Sequence, residues 1–397
     1  MVAATERRWT AVCVLYASSA LNYLDRMVLS AMAPTLLVQF ALTKEDFGYL
    51  LSAFSIVYAF SAPLMGLFID RVGLTIGAAV IVGLWSLAGM STAFVSTFAG
   101  LLLCRAALGF AEAGGIPAAG KGGAVYLDPK DQALGSALSQ VGLTVGTMIA
   151  PLLVTLLQPR GGWQLPFVFS GALGLVWIPM WLVVARRPAQ DRPAASKRTP
   201  LTAIILRDRR FHGLIAANIL AMTIYSLWFS WSTLFLVDVY KISQTEANLH
   251  YVWLPPIFAT LGGLAGGWLA RHFIRNGLEP LQARVRIAFI ASVAVLPTAL
   301  APLMPTPALA TAVICLSLFA TTALSVNYYT IPIDLFGKEH AAFCISALTA
   351  AFGLMQAFLS PVIGRWCTVF GWPAVCLGVA ALPLLSVAVL KLSLRRL

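Results

Sequence analysis

Charged side chains are scarce in this chain: 11% of its residues, where soluble domains carry about a quarter. Acidic residues are scarcer still, with 15 Asp and Glu against 27 Lys and Arg. So little charge in 397 residues, 59% of them apolar, points away from a soluble globular enzyme. Four histidines and six cysteines offer no metal-ligand spacing and no Cys-x-x-Cys pair, so neither a metal centre nor a disulfide framework is expected. No Ser or Cys nucleophile is visibly paired with a base, and no Walker-type phosphate loop occurs. Catalysis, a cofactor and self-powered ATP hydrolysis are therefore not expected. The net charge of +12 would raise nucleic acid as a partner in a soluble protein, but here it reads as membrane topology.

What is present is a recurrence of apolar runs of about 20 residues, each long enough to span a bilayer. Charges, Gly and Pro mark the breaks, and the runs predict helices at 9–38, 46–69, 74–94, 98–124, 132–157 and 164–185, then at 212–237, 247–270, 284–304, 308–333, 340–365 and 372–392. The polar stretch 186–211, with Arg186, Arg187, Arg192, Lys197 and Arg198, is the natural linker between a six-helix bundle at 1–185 and another at 212–397. With the N-terminus inside, most Lys and Arg collect on the inner side, while Lys44, Arg160, Lys241 and Arg365 stay outside. That asymmetry predicts both termini in the cytoplasm. Arg7 and Arg8 lead into a segment too long for a signal core, so no cleavable leader is expected. Six helices, a basic linker and six more imply two repeated halves, an architecture that places substrate near the bilayer midplane.

Four charges fall well inside predicted spans: Asp25 and Arg26 in helix 1, Arg105 and Glu112 in helix 4. Each costs roughly 2.5 to 3.5 kcal/mol at a helix centre even on a lenient insertion scale, so each needs a reason. At 1.5 Å per residue, Asp25 lies about 24 Å from the inner end of its helix and Arg105 about 12 Å from the outer end of its own, nearly the same depth. An Asp25 to Arg105 pairing is thus sterically plausible, and with Glu112 two turns deeper on the same face the four charges could line one aqueous path. One reading is a structural ion pair locking helices 1 and 4. The other is functional: an arginine fork holds an anionic substrate, and a carboxylate, its charged form disfavoured by low dielectric, carries a proton. Asn22, Tyr23, Tyr58, Gln140, Tyr225, Trp228, Asn327, Tyr329 and Gln356 are candidate cavity residues, and Lys121 is expected to snorkel to the inner surface.

The stretch Gly66-Leu67-Phe68-Ile69-Asp70-Arg71-Val72-Gly73 resembles the G-x-x-x-D-R/K-x-G signature of the major facilitator superfamily, although Leu74, Thr75 and Ile76 replace its usual basic pair. The resemblance implies a structural and gating role for Gly66, Asp70, Arg71 and Gly73. Asn22-Tyr23-Leu24-Asp25-Arg26, the run from Arg105 through Gly109-Phe110-Ala111-Glu112-Ala113-Gly114 to Pro117 and Lys121, and Gly266-Gly267-Trp268-Leu269 with Arg284 resemble the anion:cation symporter family, in particular its hexuronate, galactonate and glucarate branch. That likeness implies an all-α membrane fold of twelve helices in two six-helix bundles. It also implies proton coupling through Asp25 and Glu112, and substrate contacts at Arg26, Arg105, Tyr23, Tyr58, Tyr329 and Thr349. Trp231-Ser232-Thr233-Leu234 departs from the family's W-L-P run.

The expectation is a proton-coupled symporter of a small organic anion, most simply a sugar acid, working as a monomer in a bacterial inner membrane. Its partners would be the anion, protons and the lipid bilayer, with no nucleic acid. A monocarboxylate or aromatic-acid carrier is the alternative. A proton-driven exporter, suggested by Gly142, Gly146 and Pro151, and a non-transporting anion sensor stand further off.

Overall fold

A computed structural model describes residues 2–128, 131–185 and 205–394. Most of the proposed linker, residues 186–204, lies outside the described residues. The described chain is all helical, with no strand. Twelve helical segments follow one another: α1 (Val2–Ala31), α2 (Lys44–Val72), α3 (Leu74–Phe94), α4 (Phe98–Tyr126), α5 (Gln132–Gly161), α6 (Gln164–Val184), α7 (Arg209–Tyr240), α8 (Gln244–Arg275), α9 (Pro280–Leu303), α10 (Pro307–Phe336), α11 (Lys338–Val369) and α12 (Gly371–Leu394). Eleven of them are long and apolar enough to cross a membrane by length and composition. The exception is α1, which has the length but carries Asn22, Asp25 and Arg26.

Local chemistry sets the boundaries. The expected 9–38 helix breaks at Met32, next to Pro34, whose missing N–H cannot continue the ladder, and a short helix resumes at Ala33–Gln39. Thr43 and Asp46 form a reciprocal capping box that starts α2. Gly73, at φ 85°, makes the turn into α3 that a side chain would strain. Within α4 the regular helix stops at Glu112 and restarts at Gly115. Asp208 caps α7, accepting from the Arg210 N–H at 2.7 Å, so that helix begins three residues before its expected start.

The chain divides into two compact units, Met1–Ser196 with Gln244–Leu249, and Lys197–Ser243 with His250–Leu397. In the first, α1 packs on α5, α2 on α4, and α3 on α6; in the second, α8 packs on α10, α7 most closely on α12, and α9 on α10 and α12. The α2–α4 and α3–α6 pairings of the first unit thus recur in the second as α8–α10 and α9–α12, whereas α7 leans on α12 more than on α11. Small residues let the backbones approach. A Cβ at Gly142 would stand 2.9 Å from the Tyr16 carbonyl oxygen, and one at Gly146 would strike that of Ala20. In the core of the first unit Trp177 and Trp181 stack at 5.6 Å. Their indole N–H groups donate to the backbone carbonyls of Val14 (2.6 Å) and Thr75 (2.9 Å), which pins α6 to α1 and α3.

Candidate functional site

All four intramembrane charges lie in the first unit. From α1, Arg26 reaches between α2 and α4, where its Nε and Nη2 donate to Glu112 Oε2 at 3.2 and 3.0 Å. The pair is asymmetric in exposure: the Arg26 side chain is 21% accessible and that of Glu112 not at all. Three aromatic rings surround the guanidinium, with centroids 4.7 Å (Tyr23), 4.6 Å (Phe54) and 5.1 Å (Tyr58) from Cζ. A cation over such faces is attracted by their negative quadrupole, more strongly as water is excluded. Phe54 and Tyr58, one helical turn apart on α2, stack on each other at 5.6 Å. The result is a fork with one carboxylate in its grip, an aromatic surround and partial access from outside the protein.

The Asp25 to Arg105 pair is not formed. Neither Asp25 oxygen, nor Nε or Nη2 of Arg105, has a hydrogen-bond partner among the described residues, and both side chains are buried. The reason is rotational. Successive helical residues leave the axis about 100° apart, so when Arg26 points toward α2 and α4, Asp25 points toward α3 and α6. There it lies near Gly89, where a Cβ would stand 3.7 Å from Oδ1, and beside Ser170, whose hydroxyl donates to the Phe167 carbonyl at 3.2 Å. The four charges therefore do not line one path: Arg26 is accessible, while Asp25, Arg105 and Glu112 are sealed within electrostatic reach of one another.

The remaining expected site residues lie on α5 and in the second unit. Gln140 is exposed on α5. In the second unit, Asn327 is buried and donates to the carbonyls of Ala323 (2.8 Å) and Gly266 (3.4 Å), tying α10 to α8. Thr349 bonds back to the Ile345 carbonyl at 3.0 Å, and Tyr329 caps the first stretch of α10, half-buried. Tyr225 stacks on Phe229 at 4.8 Å, Trp228 donates to Thr298 at 3.5 Å, and Gln356 reaches Ser230 at 3.5 Å.

At the end of α2, Asp70 and Arg71 are exposed and Gly73 forms the turn. A Cβ at Gly66 would make only ordinary contact, 4.0 Å from Pro117. Lys121 does not simply snorkel: it donates to the Asp70 carboxylate at 3.2 Å and the Ile69 carbonyl at 3.3 Å. A lysine from α4 thus faces Asp70 in a chain that lacks the basic pair after Gly73.

Two residues at the charge cluster escaped the sequence reading. Phe54 had a signal, since it precedes Tyr58 by four residues and so shares its helix face. Ser170 had none, being one serine in an apolar run.

The sequence profile of the Major Facilitator Superfamily matches residues 15–359. The Hexuronate transporter of Escherichia coli strain K12 is 28% identical over 403 residues, covering 96% of this chain and 93% of that protein. The Galacturonate transporter of Dickeya chrysanthemi is 30% identical over 285 residues, covering 67% and 82%. Among solved structures, a bacterial homolog of the human lysosomal transporter Spinster, inward-facing and unoccupied, superposes with a TM-score of 0.83 at 21% identity, covering 98% of this chain and 97% of that one.

Proposed function

The chain belongs to the Major Facilitator Superfamily and is an integral membrane transporter, not an enzyme, and from that premise we propose that it imports a sugar acid, a hexuronate or aldonate, together with protons. The similarity to hexuronate and galacturonate transporters supports the substrate class. The observation that carries the mechanism is the Arg26–Glu112 pair.

A guanidinium fork that already holds a carboxylate is matched to carboxylates in shape and charge. Substrate and Glu112 therefore compete for Arg26. Protonation of Glu112 removes its charge, loosens its hold and leaves the fork to the incoming anion. Deprotonation restores the internal pair and expels the anion. Proton and anion thus favour the same state of the site, which is the thermodynamic content of coupling. Asp25 is the second proton carrier in this reading. Arg105, buried beside both carboxylates, keeps the cluster's charge balanced, and the Tyr23 and Tyr58 hydroxyls stand close enough to the fork to meet the anion. The carrier is proposed to act as a monomer in a bacterial inner membrane with both termini cytoplasmic.

Uptake into proteoliposomes tests this. The wild type should accumulate labelled glucuronate or galacturonate when the outside is acidified. Glu112→Gln should exchange substrate across the membrane yet lose accumulation driven by the pH gradient, and Arg26→Ala should bind nothing. Wild-type accumulation in both variants would refute the mechanism.

A second reading, a monocarboxylate or aromatic-acid carrier, is favoured by one feature of the second unit: the Asn327 amide N–H and the Thr349 hydroxyl donate to carbonyls of their own helices, which leaves only the Asn327 Oδ1 without a partner among the described residues. Sugar hydroxyls need such groups free. Thermal stabilisation by lactate or benzoate, with none by sugar acids, would select it.

A further inference from the structure

When Glu112 lets go of Arg26, some other contact must keep the guanidinium in place, or the anion would have to pay for ordering a long side chain. Glu112 accepts hydrogen bonds from Arg26, whose guanidinium also lies over three rings, with the Tyr58 phenol within hydrogen-bonding reach of it. The rings are not equivalent. Tyr23 sits three residues before Arg26 on α1 and shares whatever that helix does. Phe54 and Tyr58 belong to α2, and Phe54 is anchored: a Cβ at Gly109 of α4 would stand 2.5 Å from the Phe54 carbonyl oxygen and 3.2 Å from its Cα. The backbone of Phe54 is therefore seated directly on α4, one turn before Glu112, and its ring is 8% exposed as a residue.

We propose that Phe54 is a positioning residue: it holds the Arg26 guanidinium in its Glu112-facing place independently of the ion pair, so that the substrate carboxylate meets a fork already set. The inference rests on the reading of Arg26 as the anion site. Phe54 has no polar atom to offer a sugar acid, so its contribution goes through Arg26. Gly109 serves the same end by letting α2 and α4 close at that level.

Two measurements separate this from the premise. The first is galacturonate exchange in proteoliposomes. Phe54→Leu should raise KM about tenfold, the range expected for losing one desolvated cation–π contact, while the maximal rate stays within about twofold. Phe54→Tyr, which restores a ring, should return KM to within about twofold of the wild type. An unchanged KM in Phe54→Leu, or a loss that Phe54→Tyr does not repair, overturns the proposal. The second needs no substrate: phenylglyoxal modification of Arg26 followed by mass spectrometry. In a Glu112→Gln background, adding Phe54→Leu should speed modification about fivefold or more, because it removes the ring that is seated on α4 and lies over the guanidinium. Equal rates with and without Phe54 overturn it. If the wild type carries no sugar acid, the function fails while the modification rates still decide the role of Phe54.

Discussion

An arginine and a glutamate facing each other inside an apolar bundle have unequal claims on stability. Removing one partner leaves the other as an uncompensated charge, at a cost of about 3 to 5 kcal/mol, whereas replacing both by apolar side chains of similar size is often neutral. Arg26 keeps 21% of its side chain accessible and can recruit water, whereas Glu112 has none. Thermal unfolding in detergent should therefore show Arg26→Met lowering Tm more than Glu112→Leu, and Arg26→Met with Glu112→Leu recovering most of the loss. A double variant no more stable than Arg26→Met alone would mean that the pair is not what the two residues hold. The four charges themselves were legible in the sequence, because charge is rare inside a membrane helix. Their partners were not. Residue counting gives depth along a helix, and it set Asp25 level with Arg105. Rotation about α1 depends on which face meets α5, and that face is Tyr16 and Ala20, seated on Gly142 and Gly146.

That crossing makes the helix pair a testable element. Gly146→Val places bulk against the Ala20 carbonyl, where no flexible side chain can give way, and overpacking of this kind costs about 1 to 3 kcal/mol. A lower Tm together with weaker anion binding is expected, since α1 carries Arg26. Val at position 146 with wild-type stability would show that α5 can withdraw. The same contact gives the glycines of helix 5 a packing role, which is what the exporter reading had drawn on. The cap of α7 offers a second element test. Asp208 receives the Arg210 backbone N–H, and its carboxylate takes Nη2 at 2.7 Å and Nε at 3.1 Å. Those Arg210 hydrogen bonds hold the Asp208 carboxyl below its usual range. A depressed folded-state value means that the contribution is full above the unfolded value, about 3.9, and is lost as pH falls through the lower folded value. Asp208→Ala should thus cost about 1 kcal/mol between pH 5 and pH 8, with the deficit in Tm shrinking below about pH 4. A deficit that grew on acidification would reverse the sign of the argument. Apolar run length predicted where these elements lie to within a few residues for every helix but α1, which starts at Val2 where residue 9 was expected. It missed the stop in α4 after Glu112 and the break of α1 at Met32, because Gly and Pro inside an apolar run mark a kink and a terminus alike.

At the scale of the molecule, charge sorts by helix end. In the first unit, Arg8 pairs with Asp128 at 3.7 Å and Lys121 with Asp70 at 3.2 Å, which brings the start of α1 and the ends of α2 and α4 to one side. Lys44 and Arg160 stand at the start of α2 and the end of α5, at the other side. In the second unit, Arg284 meets Asp334 at 2.5 Å, joining the start of α9 to the end of α10, with Arg271 and Arg275 closing α8 nearby in sequence. The ends rich in Lys and Arg are thus the starts of odd-numbered helices and the ends of even-numbered ones, which is the charge pattern behind the proposal that those ends face the cytoplasm. Cysteine labelling tests the assignment. Cys13 is exposed whereas Cys104, Cys315, Cys344, Cys367 and Cys376 are buried, so Cys13→Ser removes the accessible native thiol. In that background Ser96→Cys, exposed between α3 and α4, should react with a membrane-impermeant maleimide on intact cells. Asn276→Cys, exposed just after α8, should react only once the cells are opened. The reverse pattern would invert the molecule, but acidification of the exterior would still drive the anion inward, because in symport through the Arg26–Glu112 exchange the proton gradient sets the direction whichever end faces the cytoplasm.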